Sequence, residues 1–316
     1  MALLVAGAAV AITAWSLIGR DDGPPPPPVV AAATEPAATP SPTEIPTLNP
    51  TPTVTPTPTV TPTPTPSPTP QPTPDGAFRE AVVPVLMYHY VEELAPGTEL
   101  LRRDLTVSPE RFEAQLQYLR EQGYVSISLT DLVYHLQLGW ELPSKPVILS
   151  FDDGYAVTYE NAVPLLTQYG FTGTFSIITG FVDLGYEAYM TWPQIQELHQ
   201  MGMEIIGHSK THDDLRNKPY DYLVWQILGS KETLEANLGE PVRFFTYPSG
   251  WYDPEVIAVL RSAGYWAALT SHQGALQTSD GLLETPRIRA RGTYDLGTFV
   301  SRLNFWLDRA ESEAGS

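Results

Sequence analysis

Residues 77–316 predict a single α/β barrel of about seven βα units, a (β/α)7-type fold, and three observations support this. Short apolar runs rich in β-branched residues alternate with segments of helical periodicity, which is the pattern of parallel βα units. A length of about 240 residues suits one domain of barrel size. Acidic residues and histidines stand where predicted strands end, and the sites of α/β barrels gather at the carboxyl ends of the strands.

The predicted elements follow from local signals. Ser108 and Pro109 supply an N-cap and a proline at the first helical position, and Gly123 ends that helix. The predicted strands cover residues 81–90, 146–151, 171–178, 203–207, 242–247, 266–270 and 287–290. The predicted helices cover residues 109–122, 131–138, 160–169, 192–201, 220–238, 254–263 and 295–310.

The first 76 residues form no part of this domain. Residues 2–19 are apolar or small and uncharged, which is just long enough to cross a bilayer. A secretory signal peptide is the alternative, although the basic residues expected at its start are missing. Residues 21–76 contain 20 of the 32 prolines, much of them in Thr-Pro alternation, which predicts an extended polyproline-II linker without a core.

This order of segments predicts a location. A membrane anchor or signal segment (1–20), an extended linker (21–76) and a folded domain (77–316) indicate a domain held away from a membrane. We therefore expect it at the extracellular face of a cell envelope, membrane-anchored, or secreted if the first segment is cleaved.

Composition excludes several kinds of site and partner. The chain has no cysteine, which rules out disulfides, cysteine-ligated metals and cysteine nucleophiles. The formal net charge is −18, with 36 acidic and 18 basic residues, which argues against nucleic acid as a partner. An uncharged or cationic polymer fits better, and we expect the domain to be a monomer.

Two short segments carry the candidate chemistry. Asp152 and Asp153 end the run 146–151, and because neighbouring strand residues point to opposite sides, one could bind a metal while the other handles a proton. His208 and His212 follow the run 203–207, and a helical turn would put both rings on one side. One aspartate and two histidines leave open positions on a metal, as in catalytic zinc sites.

A bound ion of this kind would lower the pKa of a water molecule and polarise a carbonyl group. A non-haem Fe(II) oxygenase uses the same three ligand types, but it usually has a double-stranded β fold, which the alternating pattern here does not match. Of the other histidines, His89 lies just past the first predicted strand. His135 and His199 lie in predicted helices as packed or solvated residues, and His272 lies in a predicted loop with an open substrate role.

Taken together, the segments 149–155 (LSFDDGY) and 208–212 (HSKTH) resemble the polysaccharide deacetylase family, which has NodB homology and is carbohydrate esterase family four. The stretches 85–89 and 247–250 are similar to the branch that de-N-acetylates poly-N-acetylglucosamine. The resemblance extends over about residues 83–291, and it implies a distorted (β/α)7 barrel.

The resemblance also implies residue roles. Asp153, His208 and His212 would hold a divalent metal, with Zn²⁺ favoured and Co²⁺ or Ni²⁺ as alternatives. Asp152 would be the general base and His89 the general acid.

The third motif of the family departs from its pattern here. The backbone N–H near Ser249, next to Tyr247, would still contribute to an oxyanion hole. The arginine of that motif is missing, so another residue must orient Asp152. The candidates are Arg287 and Arg289, of which we include Arg289 among the predicted site residues.

The sequence therefore predicts a metal-dependent hydrolase of amide bonds that removes N-acetyl groups from N-acetylglucosamine-containing surface or cell-wall polysaccharide. Two alternatives stay open. The altered third motif is compatible with a polysaccharide-binding module of the same fold that has lost catalysis. An O-acetyl esterase of the xylan type would use the same site chemistry.

Overall fold

The computed structural model describes residues 73–315, so the predicted segment 1–20 and nearly all of the predicted linker 21–76 lie outside the described residues. Among the helices of residues 73–315, none combines the length and the apolar character that a bilayer span requires.

Strands and helices alternate along the described part of the chain. Its strands are β1 (Glu80–Val82), β2 (Val85–Tyr88), β3 (Tyr90–Val91), β4 (Thr106–Val107), β5 (Val125–Ser126), β6 (Pro146–Phe151), β7 (Thr174–Ile177), β8 (Glu204–Gly207), β9 (Phe244–Thr246), β10 (Ala267–Gln273), β11 (Leu276–Thr278) and β12 (Thr285–Arg289). Its α-helices are α1 (Leu100–Leu105), α2 (Pro109–Glu121), α3 (Leu129–Leu138), α4 (Ala156–Tyr169), α5 (Thr179–Asp183), α6 (Trp192–Gln200), α7 (Tyr220–Leu238), α8 (Pro254–Ser262) and α9 (Leu296–Glu313).

Seven strands close into a parallel barrel in the order β2-β12-β10-β9-β8-β7-β6, and β6 pairs with β2 to complete the ring. The closing register pairs Val85 with Ile148 and Tyr88 with Phe151. β5 adds to the start of β6, while β1 and β11 form a separate antiparallel pair. The predicted barrel of seven βα units is confirmed, and each predicted strand overlaps one barrel strand.

The lower half of the barrel interior is apolar. Inward-facing side chains of five strands form one buried cluster with the apolar face of α3, which closes the amino-terminal end of the barrel. The buried members of this cluster on these five strands are Val85, Ile148, Ile206, Phe244, Ala267 and Leu269. The carboxylate of Glu204, at the start of β8, accepts hydrogen bonds from the N–H groups of Leu129 (2.8 Å) and Thr130 (3.2 Å) and so fixes the start of α3.

The upper half of the interior is polar. Side chains two residues apart on a strand share a face, so the inward positions after Ile148, Ile206 and Phe244 are Ser150, His208 and Thr246. All three of these polar side chains are buried. The barrel therefore has a hydrophobic base and a polar floor beneath its carboxyl end.

The main difference from the predicted elements lies in the first strand. The run 81–90 is divided into β1, β2 and β3, and Pro84, which has no N–H to donate, lies at the first break. The helix predicted at 220–238 has the observed bounds Tyr220–Leu238. Helices α1 and α5 and strand β11 were not predicted, because they are short and lack a clear period.

Candidate active site

The predicted metal ligands come together at the carboxyl end of the barrel. Asp153 follows β6, and His208 follows β8 directly. The Asp153 Oδ1 lies 3.2 Å from His208 Nε2 and 3.4 Å from His212 Nε2. Asp153 and His208 are buried and His212 is half-buried, so the three form one cluster at the floor of an open barrel end.

The segment that carries both histidines is a loop rather than a helical turn. Ser209 and His212 have left-handed backbone conformations, with φ values of 62° and 59°. The Ser209 hydroxyl accepts a hydrogen bond from the His212 N–H at 3.0 Å. The predicted helical geometry is therefore wrong, although the two ring centroids lie only 4.8 Å apart.

Gln226 on α7 holds this loop in place. Its side chain is fully buried, and its Oε1 accepts hydrogen bonds from the N–H groups of Lys210 (2.9 Å) and Thr211 (3.1 Å). Its Nε2 donates to the hydroxyls of Thr211 and Tyr222. Because an amide can both donate and accept, one side chain satisfies the loop backbone from one side.

The start of α5 supports the same loop from another element. The Gly180 N–H donates to the Lys210 carbonyl at 2.9 Å. A Cβ at position 180 would lie 2.4 Å from that oxygen, so only glycine allows this approach.

Backbone strain is concentrated at the site. Within residues 73–315, five residues other than glycine have positive φ, and four of them belong to the site: Asp153, Ser209, His212 and Ser249. Such conformations cost energy and persist only where the surroundings impose them, which is common at functional sites. The surrounding contacts therefore fix the ligand positions.

The cluster fits a divalent metal ion. A tetrahedral site with ligand bonds of about 2.0–2.1 Å has ligand–ligand separations of about 3.3 Å, close to the separations of 3.2 Å and 3.4 Å found here. The His208 Nδ1–H donates to the Thr246 carbonyl at 2.8 Å, so Nε2, which faces Asp153, is the ring nitrogen that could bind a metal ion. The donor set and the tautomer of His208 both suit Zn²⁺ or a similar ion.

Asp152 lies beside this cluster in a buried ion pair with Arg287. The side chains are 4% and 1% exposed. The two terminal nitrogens of Arg287 donate to the two carboxylate oxygens of Asp152, each at 2.8 Å. A bidentate pair of this kind fixes the plane of the carboxylate as well as its charge.

The polar floor of the barrel satisfies the rest of this pair. The Arg287 guanidinium also donates to the Thr270 carbonyl at 2.7 Å and to the Ser150 hydroxyl at 3.2 Å. The Ser176 hydroxyl donates to Asp152 Oδ1 at 3.2 Å and lies 2.7 Å from the Thr246 hydroxyl. Both buried charges therefore have hydrogen-bond partners on several strands.

Burial and charge set the protonation states. Burial alone raises the pKa of Asp152, but the adjacent Arg287 outweighs burial and holds this pKa below its ordinary value. Burial likewise opposes the ionisation of Asp153, and its contacts with His208 and His212 lower its pKa nonetheless. Burial lowers the pKa of His89, and the nearby carboxylates compensate only in part. Asp152 is therefore a carboxylate, able to accept a proton at neutral pH.

His89 lies on the other side of Asp152. Its Nε2 is 3.8 Å from Asp152 Oδ2, and its side chain is 17% exposed. It follows β2, whose last residues pair with β6 ahead of Asp152. The two predicted proton-transfer residues thus face one space from adjacent strands.

Arg289 does not orient Asp152. Its guanidinium lies 3.1 Å from the Asp104 carboxylate near the surface, and Asp104 is also bound by Arg291 at 2.9 Å. Arg287 and Arg289 both point inward from β12, but Arg287 lies two residues nearer the start of the strand, and its guanidinium reaches the Ser150 hydroxyl. The structure therefore gives the orienting contact to Arg287.

Tyr247 is not brought into the site. It directly follows β9 and packs in the core outside the barrel, and its hydroxyl donates to the Leu283 carbonyl at 2.8 Å. Its N–H donates to the Leu269 carbonyl at 3.1 Å. The side chain and the N–H of Tyr247 are both occupied elsewhere.

Ser249 presents a backbone donor beside the cluster. It lies in the turn after β9 with φ of 56°, and among residues 73–315 no acceptor contacts its N–H. The Thr246 carbonyl at the start of this turn accepts from His208, so the turn adjoins the metal ligands. The N–H predicted for an oxyanion hole is therefore available, and that role stays a prediction.

The remaining histidines lie elsewhere. His135 is on α3 with its Nδ1 2.6 Å from the Trp140 carbonyl, and His199 is on α6 near Glu240. Their placement on helices is as predicted. His272 lies at the exposed end of β10 rather than in a loop.

Sequence reasoning missed Gln226, which has no local signal because it lies on a helix remote in sequence from the loop that it supports. It also missed Ser176 and Thr246, polar residues inside apolar strands. Their inward position could have been found from the strand alternation, because Thr246 follows Phe244 by two residues and Ser176 stands between Phe175 and Ile177.

Comparisons with known proteins identify the family of this chain. A sequence model of the family described as polysaccharide deacetylase matches residues 140–268. The poly-beta-1,6-N-acetyl-D-glucosamine N-deacetylase of Staphylococcus aureus is 26% identical over 200 residues, which cover 59% of this chain and 68% of that protein.

Two solved structures share the fold. The deacetylase PplD of Streptococcus pyogenes, solved in complex with acetate, has a TM-score of 0.66 and 27% identity, over 71% of this chain and 99% of that one. BA0330 of Bacillus anthracis, described as a candidate polysaccharide deacetylase, has a TM-score of 0.62 and 30% identity, over 71% and 69% of the two chains. This chain belongs to the polysaccharide deacetylase family, carbohydrate esterase family four, and is a hydrolase that acts on amide bonds.

We predict that Arg287→Met destabilises the domain strongly, because it leaves the Asp152 carboxylate buried without its cation. The free energy of unfolding, measured by urea denaturation, should fall by about 3–5 kcal/mol. Arg289→Met is the matched control and should cost less than about 1 kcal/mol, since its partner Asp104 keeps Arg291. Equal losses in the two variants would contradict this assignment.

We predict that Gln226→Leu weakens metal binding, because it removes the oxygen that accepts hydrogen bonds from two N–H groups of the loop that carries His212. The dissociation constant for Zn²⁺, measured by competition with a chromophoric chelator, should rise about tenfold or more. Gln226→Glu keeps the acceptor atoms and should bind more tightly than Gln226→Leu.

The control is Gln117→Leu, which removes an exposed amide on α2. Circular dichroism during thermal unfolding verifies that each variant is folded. A folded Gln226→Leu variant with the Zn²⁺ affinity of the wild type would refute the role of Gln226.

Proposed function

We propose that this protein is a metal-dependent deacetylase that hydrolyses the N-acetyl groups of an N-acetylglucosamine-containing surface or cell-wall polysaccharide. The observation that carries this proposal is the buried Asp152 carboxylate, held ionised by Arg287 and placed between His89 and the Asp153 cluster. A base, an acid and a ligand set for a cation converge on one space, as amide hydrolysis requires.

Asp153, His208 and His212 would hold the ion, with Zn²⁺ favoured and Co²⁺ or Ni²⁺ as alternatives. When bound, a divalent cation supplies Lewis acidity, which polarises a carbonyl and lowers the pKa of water. The chain itself supplies the ligand geometry through the loop contacts of Gln226 and Gly180.

The remaining steps belong to side chains and backbone. Asp152 accepts a proton from the water that attacks the acetamide carbon, and Arg287 keeps the Asp152 carboxylate ionised so that it can accept this proton. The Ser249 N–H donates to the oxygen that becomes negative in the tetrahedral state. As the carbon–nitrogen bond breaks, His89 protonates the leaving nitrogen, and acetate and a free amine are released.

The choice of an N-acetylated sugar rests on several observations. A relative from Staphylococcus aureus is named as a poly-beta-1,6-N-acetyl-D-glucosamine N-deacetylase. The acidic chain, with a net charge of −18, suits a neutral polymer that becomes cationic as it is deacetylated. An amine is a poor leaving group without a proton, so an acid at the position of His89 favours an amide over an ester substrate.

The domain organisation of the sequence supports a location at the cell envelope. The apolar segment 2–19 would associate with the membrane, and the proline-rich segment 21–76 would extend the domain towards its polysaccharide on the extracellular face. A pure binding module is disfavoured, because it has no use for a buried ionised base beside a metal ligand.

We predict that Asp152→Asn lowers acetate release from N-acetylglucosamine oligomers by at least about 10²-fold, because the amide cannot accept a proton. Chelation should abolish release by the wild type, and added Zn²⁺ or Co²⁺ should restore it. Bound metal should remain near the level of the wild type, because Asp153 and both histidines are intact.

Asp295→Asn is the matched control, since Asp295 caps α9 and asparagine caps helices equally well. Release that persists at the wild-type rate in Asp152→Asn would refute the proposed base. A wild type that binds one metal but releases no acetate would favour the binding module.

We also predict a change of pH dependence in Arg287→Met. In the wild type Asp152 stays ionised from about pH 5 to 8, so it contributes no decline of kcat/KM on the acid side of that range. Without Arg287, burial raises the pKa of Asp152, and activity should be lost at a higher pH than in the wild type. The measurement is kcat/KM against pH at saturating metal, with Arg289→Met as the control, and superimposable profiles for Arg287→Met and wild type would contradict it.

A further inference from the structure

An exposed tryptophan lies just past the turn that presents the Ser249 N–H. Trp251 follows Ser249 by two residues and is 37% exposed. The Trp251 N–H donates to the Pro248 carbonyl at 3.1 Å, which ties the backbone of Trp251 to this turn. A large aromatic side chain that the core does not bury therefore stands at the carboxyl end of the barrel.

The guanidinium of Arg216 supports one face of this indole. Its central carbon lies 4.3 Å from the ring centroid of Trp251, in a cation–π contact. The two carboxylate oxygens of Asp214 hold the guanidinium in place, because they accept from Arg216 Nε at 3.0 Å and from a terminal nitrogen at 2.7 Å. Arg216 lies four residues after His212, so the support comes from the segment that follows a predicted metal ligand.

The two segments that meet at the indole are fixed to each other. The Asn217 N–H donates to Asp253 Oδ2 at 2.7 Å, while Asp253 Oδ1 accepts from the Val256 N–H and caps α8. Asn217 is the fifth residue other than glycine with positive φ within residues 73–315, at 57°. Such strain persists where the surroundings impose it, and it is found at ligand clamps as well as at active sites. The segment that supports the indole is therefore ordered before any ligand binds.

The opposite face of the indole is open to a ligand. Within residues 73–315, Trp251 stacks on no second aromatic ring and belongs to neither apolar cluster of the core. Because Arg216 covers one face, the exposed fraction of 37% lies mainly on the opposite face and the ring edges.

The surroundings of this face favour a sugar ring over an apolar partner. Trp251 adjoins charged and polar side chains, so it is not part of a wide apolar patch of the kind that docks a protein. A pyranose ring presents weakly positive C–H groups on its face and hydroxyl groups at its rim. The C–H groups match the negative face of an aromatic ring, and the hydroxyl groups match the polar side chains beside it.

We propose that Trp251 is a stacking platform for a sugar unit of the polysaccharide next to the unit that loses its acetyl group, with Arg216 as the residue that positions the indole. This inference rests on the proposed function, because it places the sugar by reference to the turn of Ser249. Since the indole is held before the sugar arrives, little ordering is needed on binding. The platform predicts that oligomers are bound more tightly than a single N-acetylglucosamine.

The test measures sugar binding separately from turnover. A β-1,6-linked N-acetylglucosamine tetramer is titrated calorimetrically into full-chain Asp152→Asn, alone and combined with Trp251→Ala or Trp251→Phe. The affinity should fall about tenfold with alanine, by analogy with the loss of one base that stacks on an aromatic side chain, and less with phenylalanine, which keeps a ring. Trp140→Ala is the matched control, because Trp140 is 57% exposed but follows α3 at the amino-terminal end of the barrel.

Hydrolysis of 4-nitrophenyl acetate, an ester without a sugar, provides the second measurement. Trp251→Ala in the otherwise wild-type chain should leave this rate within about twofold while raising KM for the tetramer. Arg216→Ala should raise the same KM about threefold with kcat unchanged, and Arg216→Lys, which keeps a cation, should recover part of the loss.

Three results overturn the platform. The first is unchanged tetramer affinity in Trp251→Ala, or an equal loss in Trp140→Ala. The second is the absence of tetramer binding to Asp152→Asn. The third is a parallel loss of ester hydrolysis in Trp251→Ala, because the indole would then act on the turn of Ser249 rather than on the sugar.

The two proposals fail in different ways. A wild type that releases acetate from the tetramer, with a Trp251→Ala variant of equal KM, overturns the platform alone. A wild type that binds the tetramer without releasing acetate overturns the proposed function, and the affinity comparison still decides the platform.

Discussion

The buried pair of Arg287 and Asp152 is the interaction on which the rest of the structure depends. Removing two charges from water costs several kcal/mol for each ion, and attraction offsets this only where good geometry and further hydrogen bonds are present. Both conditions hold here, with two contacts of 2.8 Å and additional partners on β6, β7 and β10. The polar floor of the barrel supplies the hydrogen bonds of this pair. The apolar base below it stabilises the fold through hydrophobic burial.

The same alternation of side chains builds all layers of the interior. The inward side chains along β6 and just after it differ by layer. Ile148 belongs to the hydrophobic base, Ser150 to the polar floor, and Asp152 is the proton acceptor. Phe244 and Thr246 repeat the first two steps on β9. The apolar side chains of the core and the groups that carry the proposed chemistry therefore lie at different depths along the barrel axis.

The sequence alone could not show how deep in the barrel each inward side chain lies. Strand periodicity located the barrel, and it placed Asp153 and His208 at strand ends, because those signals are local. Arg287 and Arg289 have the same parity on β12, and only the folded barrel shows that the guanidinium of Arg287 is the one that reaches Ser150 and Asp152. The spacing of His208 and His212 predicted proximity but the wrong backbone, because the loop geometry is imposed by Gln226 from a distant helix.

The protonation states at rest follow from one asymmetry. Burial disfavours the charged form of both Asp152 and His89, but only Asp152 has an adjacent cation that reverses the effect. The resting pair is therefore a carboxylate and a neutral imidazole, and a cation at the Asp153 cluster would favour the neutral imidazole further.

In the proposed reaction His89 must then gain its proton during turnover. The water proton accepted by Asp152, whose Oδ2 lies 3.8 Å from His89 Nε2, is the source that the geometry places closest. The base and the acid thus act in sequence on one proton. The single buried arginine that keeps Asp152 ionised therefore also controls the supply of a proton to His89.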